Sequence, residues 1–79
     1  MSALPTALTF EDTLRLDAEK TARRTLQYRF GRLSNRRIIA TLRASIDADA
    51  YAEQPDDELL ERWFAVYETS LRRLQVHRA

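Results

Sequence analysis

The chain has 79 residues and contains no cysteine, one histidine, one glycine and two prolines. Without cysteine there is no disulfide brace, no thiolate metal site and no thiol nucleophile. With His77 as the lone imidazole, a zinc site would have to be built mostly from carboxylates, against the usual donor set for that ion. One glycine leaves no glycine-rich loop to cradle a phosphate. Ser34, Ser45 and Ser70 fall in no nucleophile elbow and no lysine-paired signature. The catalytic inventory is therefore empty, and the sequence leads us to expect a protein that is not an enzyme, with no metal and no cofactor. No stretch approaches the ~20 apolar residues of a membrane span, and no charged lead followed by an apolar run marks a signal peptide. With its arginine-rich composition, the expectation is a cytoplasmic bacterial protein with no membrane partner.

A chain of this length forms one domain and buries only about 60% of its unfolded surface, so its core is thin. Small domains without staples gain stability from oligomerisation or from a partner. The expected organisation is an N-terminal arm over residues 1–9 and one helical domain over residues 10–79.

What the sequence does have is segregated charge. The formal net charge is +1. Residues 20–43 carry Lys20, Arg23, Arg24, Arg29, Arg32, Arg36, Arg37 and Arg43 with no acid, whereas residues 47–61 carry Asp47, Asp49, Glu53, Asp56, Asp57, Glu58 and Glu61 with no base. The chain is dipolar rather than uniformly basic.

The apolar residues repeat with helical spacing. Phe10, Leu14, Ala18, Ala22, Leu26 and Phe30 recur every four residues and Leu33 follows, predicting a first helix from about Phe10 to about Leu33, ending or bending between Gly31 and Ser34. Thr9 is placed to cap it, and Glu11 and Asp12 sit in its first turn, where the helix dipole favours negative charge. Ile38, Ile39, Leu42 and Ile46 predict a second helix over about 35–50, capped by Ser34 or Asn35. Pro55 ends that segment and suits the first position of a third helix, about 55–76, whose apolar face is Leu59, Leu60, Trp63, Phe64, Tyr67, Leu71 and Leu74. No strand alternation and no repeat appears. The fold class expected is all-α: a small three-helix domain in which a long N-terminal helix packs on a helical hairpin.

Two features bear on partners. Clustered arginines neutralise phosphates, so Arg23, Arg24, Arg36 and Arg37 are the candidates for direct nucleic-acid contact. The plainer reading is a solvated face that meets acids of the same chain or of a partner, because dedicated nucleic-acid binders carry a clear positive excess. The acids Asp56, Asp57, Glu58 and Glu61 lack calcium-loop spacing and read as helix capping. Trp63, Phe64 and Tyr67 read as core, with Tyr67 a candidate for the rim of a binding surface.

Phe30, Arg32 and Leu33, then Ile39, Thr41, Leu42 and Ile46, then Tyr51, then Asp56-Asp57-Glu58, then Leu60, Phe64, Val66 and Leu74 form a pattern that resembles the Hha/YmoA family of small nucleoid-associated modulators. The resemblance covers residues 30–74. It implies a helical protein that binds the dimerisation region of H-NS-like proteins and tunes silencing without reading bases. In that family an acidic residue of the third helix meets a basic residue of the partner, and Glu68 falls near that position. The stretch from Arg37 to Leu60, with Leu42-Arg43-Ala44, Ile46 and Tyr51, is also similar to the C-terminal part of FlgM-type anti-sigma factors. Both resemblances imply a regulatory protein as the partner.

The reading is a small non-enzymatic regulator that modulates gene expression by binding a nucleoid-associated or transcription-related protein. Glu68, Tyr67, Arg36, Arg37, Asp47 and Asp49 are its candidate partner contacts, homo-oligomerisation is compatible with it, and contact with nucleic acid is indirect. The alternatives are a nucleic-acid-binding helical module, and a secretion-system subunit or chaperone.

Overall fold

The computed structural model describes residues 8–28 and 33–78. It contains three α-helices: α1 (Phe10–Tyr28), α2 (Asn35–Arg43) and α3 (Asp56–Arg78). One turn of 3₁₀ helix, Ala48–Tyr51, lies between the second and the third. Among the described residues there is no strand.

Both local caps act as the residues dictate. The Thr9 hydroxyl accepts from the Asp12 amide at 3.1 Å, and the Ser34 hydroxyl accepts from the Arg37 amide at 3.3 Å. Each satisfies one of the orphan amides of a first helical turn. Pro55 stands one position earlier than expected. Its carbonyl accepts the first helical bonds of α3, from Glu58 at 3.1 Å and Leu59 at 3.3 Å, so it flanks the helix instead of opening it. Leu33 and Ser34 lie outside helix, so α1 does not run unbroken to Leu33. The bend expected at Gly31 and the core place expected for Phe30 lie outside the described residues, as do positions 1–7 of the expected arm. Leu8 and Thr9 are tied to the domain: the Leu8 carbonyl accepts from the Ile46 amide at 3.3 Å, and Thr9 caps α1.

The second helix is shorter than its apolar spacing predicts, ending at Arg43 and not near Ala50. Two local and two distant interactions end it. The Ser45 hydroxyl takes the Leu42 carbonyl at 2.7 Å, and the Ala48 amide bonds back to Ser45, the local competition with helix that serine favours. Asp47 turns away to accept from the Phe10 amide at the start of α1. Arg43 reaches over the loop to the carbonyls of Tyr51 (2.8 Å) and Gln54 (2.9 Å) and to the Asp56 carboxylate (2.9 Å). Ile46, expected on the apolar face of the helix, is consequently 67% exposed.

The core forms where α1 meets α3. Phe10, Leu14, Ala18 and Ala22 of α1, Ile38 and Leu42 of α2, and Leu59, Trp63 and Tyr67 of α3 make one buried cluster. Ala18 and Ala22 are fully buried, and their small side chains let the two long helices approach closely. Trp63 is fully buried, stacks on Tyr67 with ring centroids 5.1 Å apart, and meets Phe64 edge-on at 5.2 Å. A buried indole N–H needs an acceptor, and Asp17 of α1 provides it at 3.0 Å. The Thr25 hydroxyl donates to the Thr21 carbonyl (2.9 Å), so the 3.1 Å contact between Thr25 and Tyr67 is the phenol donating to Thr25.

A second cluster fastens the start of α1. Phe10 and Tyr51 stack with centroids 4.0 Å apart, and the Arg62 guanidinium lies 5.9 Å and 5.8 Å from the two ring centres. Arg62 also donates to both Glu11 carboxylate oxygens at 2.5 Å, and the Tyr51 hydroxyl donates to the same carboxylate at 2.8 Å. Hydrogen bonds from Arg62 and then from Tyr51 hold the Glu11 carboxyl below its ordinary value of 4.5, with the Arg62 charge adding to them and desolvation opposing. The bond to Glu11 in turn raises the Tyr51 phenol.

Two outcomes test this packing. Trp63→Ala removes the largest fully buried side chain and is expected to cost roughly 3–5 kcal/mol, enough to unfold most molecules of a domain this small; a chemical melt unchanged by it would place Trp63 at the surface. Because the fold favours the ionised form of Glu11, its contribution is complete above about pH 4.5 and disappears as the pH falls through the lower folded-state value. Glu11→Gln should therefore lower Tm at pH 7, with the gap to the wild type closing below about pH 4.5 in a series of thermal melts.

Candidate partner-binding surface

The relative direction of the helices turns a charge pattern along the sequence into one in space. Glu11 in the first turn of α1 meets Arg62 near the start of α3, Asp17 meets Trp63, Thr25 meets Tyr67, and Arg23 shares a cleft with Ser70 and Arg73. Thus α1 and α3 run in the same general direction. The short α2 runs back against both: the residues just after it bond to Leu8 and Phe10, and Arg43 at its end bonds to Asp56.

At one end of the molecule lie the starts of α1 and α3 and the loop between α2 and α3, with Asp47, Asp49, Glu53, Asp56, Asp57, Glu58 and Glu61. At the other end lie the C-terminal halves of α1 and α3, with Lys20, Arg23, Arg24, Arg72 and Arg73, while Arg36 and Arg37 stand at the start of the short α2, away from its acidic end. The molecule is flat, 39 × 39 × 17 Å, so the two poles are well separated. The helix dipoles of α1 and α3 agree with this arrangement, acids at their starts and bases toward their ends.

Pairing differs between the poles. The arginines near the acidic pole are used: Arg15 with Asp12 at 3.5 Å, Arg43 with Asp56 at 2.9 Å, and Arg62 with Glu11 at 2.5 Å. Among the described residues, none of Lys20, Arg23, Arg24, Arg36, Arg37, Arg72 and Arg73 forms an ion pair. Glu19 and Glu68 are the only carboxylates on the same helical segments, 19–28 and 68–76.

Arg36 and Arg37 are the most informative of these. Both are exposed in the first turn of α2, which holds no acid. There the helix dipole opposes a cation, typically by 0.3–1 kcal/mol. Arg37 also occupies the position where a glutamate or glutamine would complete a capping box with Ser34. Local stability thus argues against both residues at these positions, the kind of conflict that collects at functional sites.

The remaining candidates from the sequence scatter. Glu68 is exposed on the outer side of α3 and Asp49 is exposed in the loop, both free to meet a partner. Asp47 is engaged in capping α1. Tyr67 is 8% exposed and bonded to Thr25, so it belongs to the core and not to a rim. Arg23 and Arg24 are exposed in the C-terminal half of α1, and Arg36 and Arg37 are exposed at the start of α2. Arg72 and Arg73, absent from the sequence-based set, join Arg23 and Arg24 because α3 runs alongside α1. Among the described residues no group of three or more His, Cys, Asp or Glu side chains could hold a metal ion, and no helix is long and apolar enough to cross a membrane.

No protein-family model matches this chain, and neither the curated proteins nor the solved structures yield a match.

The conflict at the start of α2 gives an expected outcome. Arg37→Glu removes a cation from the positive end of the dipole and supplies the missing half of the capping box. It should raise stability by roughly 0.5–1.5 kcal/mol, seen as a Tm several degrees higher; a lower Tm would show that Arg37 already serves the fold.

Proposed function

We propose that this chain is a small non-enzymatic regulator that acts by binding another protein, with the basic pole set against an acidic surface of that partner. The observation that carries this reading is the set of exposed arginines without an ion pair, in the C-terminal halves of α1 and α3 and at the start of α2, where two stand against the helix dipole. Surface charge of this kind steers encounter and selects partners more than it adds affinity. An isolated exposed pair is worth only about 0–1 kcal/mol, so a stable complex needs the pole as a whole. The pattern shared with Hha/YmoA proteins and FlgM-type factors supports a nucleoid-associated or transcription-related protein as the partner and gene expression as the process affected. On that reading the protein works in the bacterial cytoplasm. Glu68 and Asp49, exposed away from the core, add acidic contacts for basic groups of the same partner.

The second reading is direct contact with nucleic acid. It is favoured by one observation: among the described residues, Arg23, Arg24, Arg36 and Arg37 are all exposed and none forms an ion pair. Counterion release would then make affinity fall steeply with salt.

Affinity capture with the wild type and with an Arg36→Glu/Arg37→Glu variant as baits separates the two. The protein-binding reading predicts a defined transcription-related protein retained by the wild type and lost by the variant. It fails if both baits recover the same proteins. If the purified chain alone binds duplex DNA with a steep salt slope that disappears when Arg23, Arg24, Arg36 and Arg37 become alanine, the second reading replaces it.

A further inference from the structure

The contact of α1 with α3 leaves a cleft of about 190 Å³ lined by Glu19, Arg23, Ser70, Arg73 and Leu74. Neither the core nor the proposed contacts at the start of α2 use it. Its two arginines come from different helices, and among the described residues neither forms an ion pair. Two guanidinium groups lining one cleft repel each other unless an anion lies between them. Glu19 lines the same cleft yet pairs with neither arginine. Ser70 is 8% exposed and lines the cleft, so its hydroxyl is available there as a donor. Arginine presents a planar fork of N–H groups that matches the oxygens of phosphate, and a hydroxyl adds a third direction of donation. The cleft has room for a tetrahedral oxyanion and the first atoms of a group esterified to it.

We propose that this cleft binds a tetrahedral oxyanion of the phosphate type, gripped from two sides by Arg23 and Arg73, with the Ser70 hydroxyl as a further donor. Glu19 limits the affinity, since its charge repels the anion and competes with it for the arginines. The site shares Arg23 and Arg73 with the basic pole but uses neither Arg36 nor Arg37, so the Arg36→Glu/Arg37→Glu variant, which loses the partner on the proposed reading, keeps the anion.

Amide NMR titrations of the full chain test it, with inorganic phosphate and then O-phosphoserine as probes and ionic strength held constant with sodium chloride. The expected result is saturable shifts centred on residues 19–23 and 70–74. Arg23→Gln and Arg73→Gln each weaken binding roughly tenfold, the loss of charge-assisted hydrogen bonds, whereas Glu19→Gln tightens it. All three changes lie on the surface of the cleft, and circular dichroism checks that each variant keeps its helices. Equal affinity for the two probes supports a free ion as the ligand; tighter binding of phosphoserine supports a phosphate carried on a side chain. Non-saturating shifts, shifts spread equally over Arg36 and Arg37, or a Glu19→Gln variant that binds no tighter would overturn the proposal.

Discussion

The structure depends on the seating of Trp63 against α1. The indole is fully buried, and burying so large a side chain is among the strongest single contributions to a core of this size. It can be buried there only because Ala18 and Ala22 leave space at the contact and because Asp17 accepts the indole N–H. Shifting α1 by one turn along α3 would bring Leu14 or Leu26 to the contact in place of an alanine and would replace the Asp17 carboxylate with the shorter hydroxyl of Thr13 or Thr21. The pair therefore fixes register as well as proximity. Once that register is set, Glu11 reaches Arg62, Thr25 reaches Tyr67 and Arg23 lies beside Ser70 and Arg73.

Charge segregation follows from the same contact. Acids dominate the first part of α1 and of α3 and bases the later part, with Arg15, Arg62 and Glu68 out of that order. Had the helices packed in opposite directions, the acids of one would lie beside the bases of the other and the surface would be a neutral patchwork of pairs. Because they run in the same direction, like charges gather at each end. The loop after α2 adds its acids to one end, and Arg36 and Arg37 stand at the opposite end of α2. The arginines near the acidic pole are neutralised locally, whereas those of the basic pole form no ion pair among the described residues, although Glu19 and Glu68 lie on the same segments. Such an arrangement favours interaction with something outside the domain, and that is the physical basis of the functional reading.

Much of the fold was legible from local signals. The four-residue spacing of Phe10, Leu14, Ala18 and Ala22 identified the buried face of α1, Thr9 and Ser34 identified two caps, and the stripe of Leu59, Trp63 and Tyr67 identified the buried face of α3. What the sequence could not show were decisions taken at a distance. Ile46 fits a helical repeat, and nothing local outweighs it; α2 stops because Asp47 is needed at Phe10 and Arg43 at the carbonyls of the following loop. Asp17 and Arg62 carry no local mark of their roles, since their partners are tens of residues away. For the candidate surface, the exposure of Arg36 and Arg37 was legible from the polar face of their helix. The membership of Arg72 and Arg73, and the withdrawal of Tyr67 into the core, required the helix directions. An aromatic residue on an apolar stripe reads the same whether it ends in the core or at its rim.

The central claim is that α1 and α3 run side by side in the same direction and so create two poles of opposite charge. The chain has no cysteine, so a single nitroxide label can be attached through Arg24→Cys without competing thiols, and paramagnetic broadening of amide signals then reports which residues lie near it. The account predicts selective broadening at residues 70–74 of α3, with residues 56–60 unaffected. Broadening centred on residues 56–60 instead would mean that the helices run in opposite directions, and the two-pole arrangement would be contradicted.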